Sequence, residues 1–253
     1  MIVKAFRLGI FFLTILIFFR CGLRKEENIN SIYFDGDFYL IINSDDSLNG
    51  IFNNDFAIEM WVSGIDDSTI HDRVILSLAR HNRDILQLRE DAKYLSQLIF
   101  TLEGNIFRYN KLEDDYRGHR FYHICVTRSG NIIYLYMNGT IIDQFPILID
   151  LAIDKILIGA SALGFSDSTL WIGYMDEFRI WSVYKDNSAI QFHYNNPDKL
   201  CIHYSESCIN SLKVIYRFND RLRDIIPNEA KGIYDAMVVG NITGINWSSK
   251  SVR

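Results

Sequence analysis

Residues Phe121–Asp143, FYHICVTRSGNIIYLYMNGTIID, decide the fold. Tyr122, Ile124 and Val126 alternate with Phe121, His123, Cys125 and Thr127, a period of two that sends one set to each face of a strand. Ser129-Gly130-Asn131 supplies a turn. Ile132–Met137 alternates again with β-branched and aromatic residues. Asn138-Gly139 is a strong hairpin signal, because both residues tolerate the positive φ of a type I′ turn. Thr140–Ile142 opens the return strand. The stretch therefore predicts a three-stranded antiparallel meander, with Cys125 as a core thiol.

The same reading extends in both directions. Ile32–Asp37 predicts a short strand ending in an acidic turn, and Phe38–Ile42 the strand that leaves it. Asn43–Asn54 reads as a polar loop. In FAIEMWV, Phe56, Ile58, Met60 and Val62 share one face, and Ala57, Glu59 and Trp61 the other. Val74–Leu78 and Ile85–Leu88 flank the turn Arg80–Arg83; Leu98–Leu102 and Ile106–Tyr109 flank Glu103-Gly104-Asn105. Ile156–Ile158 and Trp171–Trp181 continue the series around a loop at Gly159–Ser168. Helical periodicity is confined to Asn187–Tyr194, which Pro197 stops. Short strands at intervals of roughly 8–12 residues, with turn residues between them, predict an all-β sandwich or barrel. The composition suits one large β domain: of 253 residues, 49% are apolar and 14% aromatic.

Met1–Arg7 is basic, and Leu8–Phe19 is an uncharged, mostly large-apolar run of 12 residues before Arg20. A membrane span needs about 20 such residues, so this is the pattern of an export signal. Cys21 follows directly and resembles the acylated cysteine of bacterial lipoproteins; plain secretion and an uncleaved anchor are the other two outcomes of the pattern. The reading divides the chain into a signal at 1–21, a polar tether at 22–31, a sandwich at 32–196 and a C-terminal strand extension at 197–253. The formal charge is −5; without Lys4, Arg7 and Arg20, 23 basic residues face 31 acidic ones. A mildly acidic surface with no basic run argues against nucleic acid, and leaves the membrane as a partner only through the signal or a lipid anchor.

Phe34-Asp35-Gly36, Phe56–Val62, Phe121–Thr127, Ile132–Gly139, Ile156–Ser161 and Gly173–Trp181 stand in the order seen in laminin G-like domains of the concanavalin A-like lectin/glucanase superfamily, which the chain resembles over about Ile32–Asn196. Phe121 departs from the family pattern, which has Trp there. The resemblance implies a jelly-roll sandwich of two antiparallel sheets. It also implies that Asp35 and Asp176 occupy positions that lie close together in related sandwiches and often hold a structural calcium ion. Two carboxylates plus loop carbonyls would suit such an ion; turn capping is the competing role for both.

Because the superfamily includes glycosidases, paired carboxylates are the decisive feature. The glucanase pattern Glu-x-Asp-x-x-Glu does not occur. Glu113-Asp114-Asp115 and Asp176-Glu177 are adjacent, so neighbouring side chains are expected on opposite faces of a strand, with Glu177 and Arg179 as a solvated or ion-paired row. His119 and His123 would lie about 13 Å apart on a strand, too far to share a metal. Gly159–Gly164 misses the G-x-S-x-G elbow by one residue. The expected function is a non-catalytic, exported module at the cell envelope that binds a glycan or an extracellular protein, with a purely structural or adhesive role and a degenerate glycosidase as alternatives. Tyr109, Tyr116 and Phe165, placed in loops, are the aromatic candidates for stacking on sugar rings. Cys201 and Cys208 bracket six residues and, in an exported chain, predict a disulfide; two free thiols are the reading for a reducing compartment.

If the export reading is right, mass spectrometry of the protein from its native membrane finds an acylated Cys21 at the N-terminus. A chain still beginning at Met1 contradicts it.

Overall fold

The computed structural model describes residues 31–65, 72–91, 96–111, 120–147, 150–166, 169–219, 224–230, 234–241 and 246–248. Among the described residues, sixteen strands form two antiparallel sheets. The first sheet runs in the order β10 (Thr140–Pro146), β9 (Ile132–Met137), β8 (Tyr122–Ser129), β3 (Phe56–Gly64), β12 (Ile172–Trp181), β1 (Ser31–Asp35) and β16 (Asn246–Ser248). β13 (Leu212–Tyr216) pairs with the far half of β12, in line with β1. The second sheet runs β14 (Ile225–Ile226), β15 (Ala236–Gly240), β2 (Phe38–Asn43), β11 (Lys155–Ile158), β4 (Arg73–Arg80), β5 (Arg83–Glu90), β6 (Gln97–Leu102) and β7 (Asn105–Asn110).

The meander forms as read. Gly130 has φ +56° and opens the two-residue link between Ser129 and Ile132, the glycine-first arrangement of a type II′ turn. Asn138 and Gly139 have φ +50° and +75°, as type I′ demands. The sheets pack face to face through Phe34, Phe38, Phe56, Met60, Phe100, Trp171 and Phe178, all fully buried. The segment after Asn196 is woven into both sheets, since β13 pairs with β12, β15 with β2 and β16 with β1.

The polar loop expected at Asn43–Asn54 instead contains a helix, α1 (Asp46–Phe52). Asp45 caps it by accepting from the Leu48 amide at 2.8 Å, and Leu48, Ile51 and Phe52 face the core at helical spacing. Seven residues are too few for periodicity to show. The helix expected near Asn187 is α2 (Asn187–Asn195), capped by Asp186. A third helix, α3 (Glu206–Ser211), begins inside the loop closed by the Cys201–Cys208 disulfide and runs three residues past it. Cys125 is a buried free thiol, and burial raises its pKa.

A polar cluster is sunk between the sheets. Glu90, at the end of β5, accepts from the Tyr122 hydroxyl at 2.7 Å and from Trp171 Nε1 at 3.4 Å, and forms an ion pair with Lys111. Both partners of the pair are closed to solvent. A Cβ on Gly64 would lie 1.8 Å from Glu90 Oε2, so glycine is what admits the carboxylate. Removing one partner of a buried pair strands the other charge, at a cost of about 3–5 kcal/mol. Glu90→Ala is expected to lose that much in urea denaturation; a loss within about 0.5 kcal/mol, the range of ordinary surface substitutions, would contradict the assignment.

Candidate functional site

The outer face of the first sheet carries the greatest concentration of buried charge. Glu59 on β3, His123 on β8, Asp176, Glu177 and Arg179 on β12, Arg217 after β13, and Lys185 and His193 are all buried. A bulge in β12 assembles them. Register passes from Asp176 opposite Trp61 to Arg179 opposite Glu59, and Glu177 takes φ +48°. Asp176 Oδ1 accepts the Glu177 amide at 2.8 Å across the bulge. The bulge lets Glu177 accept from Arg179 Nη2 at 2.6 Å and from Arg217 Nε at 3.2 Å. The expected alternation of Asp176 and Glu177 therefore fails, and the Glu177–Arg179 row is ion-paired and buried rather than solvated.

Glu59 lies 3.7 Å from Arg179 Nη1, and both its oxygens are 2.9 Å from His193 Nδ1. His193 Nε2 lies 3.0 Å from the Leu200 carbonyl, which can only accept. Burial pushes the Glu59 carboxyl up, but His193, His123 and Arg179 outweigh it and hold the pKa at about 2. Both ring nitrogens of His193 thus face acceptors, a carboxylate on one side and a carbonyl on the other. His123, 4.0 Å from Glu59, is driven the other way by burial, to about 3, and stays neutral. Arg179 and Lys185 also lie over the rings of Trp61 and Trp181. α2 and the disulfide loop seal this layer, so the Glu59 and Glu177 carboxylates meet no substrate there.

The open aromatic surface lies on the outer face of the second sheet. Phe165, in a 3₁₀ turn at Gly164–Ser166, is 51% exposed, and its ring sits 5.2 Å from that of Tyr39 on β2. Two glycines shape the seat. A Cβ on Gly164 (φ +55°) would meet the Tyr39 hydroxyl at 2.8 Å, and one on Gly240 (φ +126°) would meet Phe165 Cζ at 2.6 Å. Register places Val239 beside Tyr39, Met237 beside Ile41 and Ile225 beside Met237, so the apolar strip continues along the sheet. Met237 and Ile225 are each 44% exposed. A half-exposed ring fixed in a notch can stack on the C–H face of a sugar or on an apolar side chain without paying to order itself.

Of the other residues singled out from sequence, Tyr109 is committed elsewhere. Its hydroxyl donates to Asp143 Oδ2 at 2.7 Å, joining edge strand β7 to edge strand β10, and its ring packs on the core. Burial first, and then Asp143, raise its pKa. It is a stitch between the sheets, which corrects its reading as a sugar platform. Asp35 and Asp176 are not brought together. Asp35 stands opposite Ile172, four residues along β12 from Asp176, a separation of about 13 Å. Asp35 accepts from the Asp37 amide at 3.0 Å, and Asp176 is sealed within the bulge. The shared calcium site is corrected accordingly: turn capping is the role of Asp35. Among the described residues no three His, Cys, Asp or Glu side chains converge as metal ligands. Tyr116 and Cys21 lie outside the described residues. Sequence reasoning missed Tyr39 and the Gly164 and Gly240 notches, which long-range pairing alone brings to Phe165.

A family model of the laminin G type, described as the concanavalin A-like lectin/glucanases superfamily, matches residues 34–191, more than half of the chain. The chain belongs to this superfamily. Among solved structures, this laminin G-like chain is similar to a Bacteroides ovatus protein proposed to bind carbohydrate, with a TM-score of 0.62 and 19% identity over 87% of this chain and 59% of that one. It is also similar to the receptor binding domain of a botulinum neurotoxin C/D mosaic serotype, with a TM-score of 0.52 and 13% identity over 66% of this chain and 42% of that one. The chain thus spans only part of these structures, and at such identities the likeness is one of fold. No curated protein matches it in sequence.

The sealed layer makes stability pH-dependent with a definite sign. Glu59, depressed from 4.5 to about 2, contributes stability that is full above pH 4.5 and is lost as pH falls toward 2. His123, depressed from 6.5 to about 3, adds to the loss below pH 6.5, because the unfolded chain takes up a proton that the native ring refuses. The melting temperature is expected to fall through this window, and Glu59→Gln, though less stable at neutral pH, to show a shallower fall below pH 4.5. An unchanged slope in the variant would contradict the role of Glu59.

Proposed function

We propose that this laminin G-like chain is an exported, non-catalytic module that binds a glycan through the Phe165–Tyr39 platform on the outer face of the second sheet. The observation that carries the reading is the half-exposed Phe165 ring, held over Gly240 and against Tyr39. Phe165 caps a contiguous apolar strip with Tyr39, Met237 and Ile225, and contiguous exposed apolar patches are what mark interaction sites. The Bacteroides ovatus structure, itself proposed to bind carbohydrate on the same fold, points the same way. The non-catalytic part rests on the missing Glu-x-Asp-x-x-Glu and on the burial of Glu59 and Glu177 beneath α2. Export rests on the basic start, the apolar run and Cys21, and is supported by the Cys201–Cys208 disulfide, a bond that persists in oxidising compartments.

A glycan array probed with the wild type and with Phe165→Ala tests this. The variant is expected to keep its melting temperature and lose roughly tenfold or more in affinity for whichever glycans the wild type holds. Unchanged binding by the variant would remove the platform from the site. Cleavage of any polysaccharide by the purified protein would overturn the non-catalytic reading.

A further inference from the structure

We propose a second ligand site at the opposite end of the sandwich, a cleft built to hold a neutral sugar. The β1–β2 turn, beside the Phe165 platform, adjoins the start of β12, whereas the cleft adjoins its end, ten residues or about 33 Å away. Three connections meet there: the segment between α1 and β3, the β8–β9 turn, and the chain leaving β12. They border an open cleft of about 560 Å³, lined by Asn53, Asn54, Asp55, Arg128, Asn131 and Tyr184, among others. That volume falls within the range of small-molecule sites, roughly 300–1,000 Å³.

The floor is cross-linked. Arg128 is buried and donates from Nε to the Gly130 carbonyl at 2.7 Å and from Nη1 to the Phe52 carbonyl at 2.8 Å. The Gly130 amide donates to Asp55 Oδ1 at 2.8 Å, so the turn and the helix-exit segment are fastened to each other. The third connection is tied in by the Lys185 amide, which donates to Thr127 Oγ1 at 3.1 Å, while the Thr127 hydroxyl donates to the Phe56 carbonyl at 2.8 Å. The walls differ from this floor. Asn53 and Asn131 are exposed, and their side-chain amides make no hydrogen bond among the described residues. Asn54 spends its amide nitrogen on the Gly50 carbonyl, at 2.7 Å.

The chemistry of these groups selects the ligand. A primary amide offers one donor group and one acceptor side by side, which matches two neighbouring hydroxyls of a sugar ring. Two such unspent amides on a rigid floor, with the Asp55 carboxylate as a further acceptor and the Tyr184 ring beside them, make a hydroxyl-reading site. Anionic ligands suit it poorly. The Arg128 guanidinium is turned to two backbone carbonyls, and the Asp55 carboxylate repels acidic groups at the mouth. The site stands apart from the Phe165 platform and does not depend on it; a chain with both could hold two glycan units at once.

The test is titration of the purified protein with methyl glycosides of glucose, galactose, mannose and N-acetylglucosamine, with sialyllactose alongside, followed by saturation-transfer NMR. At least one neutral glycoside is expected to bind. The double variant Asn53→Ala/Asn131→Ala is expected to lose about tenfold or more in that binding. Phe165→Ala is expected to keep it, and both variants to melt as the wild type does. Asn131→Ser, which keeps the turn chemistry, serves as the control for folding and is expected to show a partial loss. No neutral glycoside bound, a preference for sialyllactose, or neutral binding untouched by the double variant would each overturn the site.

Discussion

The buried hydrogen bond between Glu59 and His193 holds the rest of the molecule in order. It joins the centre of the first sheet to the helix that covers it, and it is closed to water on both sides. Buried charges persist only when paired, and the penalty for separating them is the desolvated partner left behind. Arg179 then has to answer both Glu59 and Glu177, and Arg217 has to answer Glu177 and Glu229. Each link fixes a different element: β3, β12, the chain after β13, and α2. The disulfide beyond Leu200 closes the arrangement, because Leu200 supplies the carbonyl that His193 needs.

This layer decides where a ligand can go. The outer face of the first sheet, rich in Trp61, Trp181, carboxylates and cations, would otherwise be a plausible groove for a polar ligand. It is spent on holding α2. What stays open is the outer face of the second sheet, where Phe165 and Tyr39 are seated by glycines, and the ends of the sandwich, where short connections carry asparagines. The division follows from sheet physics. Both faces of the first sheet are apolar enough to need cover, whereas the second sheet has only one buried face along much of its width.

The strands were legible because period-two alternation and turn chemistry are local. Asn138-Gly139 and Gly130 read correctly since each demands a backbone conformation that few other residues accept. The bulge was not legible. Alternation predicted opposite faces for Asp176 and Glu177, but a non-glycine residue at φ +48° is held there by partners, Arg179 and Arg217, that are strangers to the local pattern. The role of Glu59 was hidden for a related reason. Alternation in FAIEMWV puts it on the face opposite Phe56 and Met60, but only the distant His193, which has no neighbour at ligand spacing, makes it a buried ionic centre. α1 hid because one capping aspartate and three apolar residues over two turns look like a loop. Phe165 was found as a loop aromatic; what makes it a platform, Tyr39 and Gly240, belongs to two strands that the sequence does not bring near it.

α2 and the disulfide loop act as a permanent cover, and the proposed ligands meet the second sheet's outer face or the sandwich ends. Hydrogen exchange followed by mass spectrometry, with and without a bound glycan, tests this most directly. Slow exchange in α2 that is indifferent to ligand is expected, with new protection confined to segments carrying Tyr39, Phe165 and Gly240 or Asn53 and Asn131. Fast exchange in α2, or ligand protection appearing along Asn187–Ser211, would contradict it.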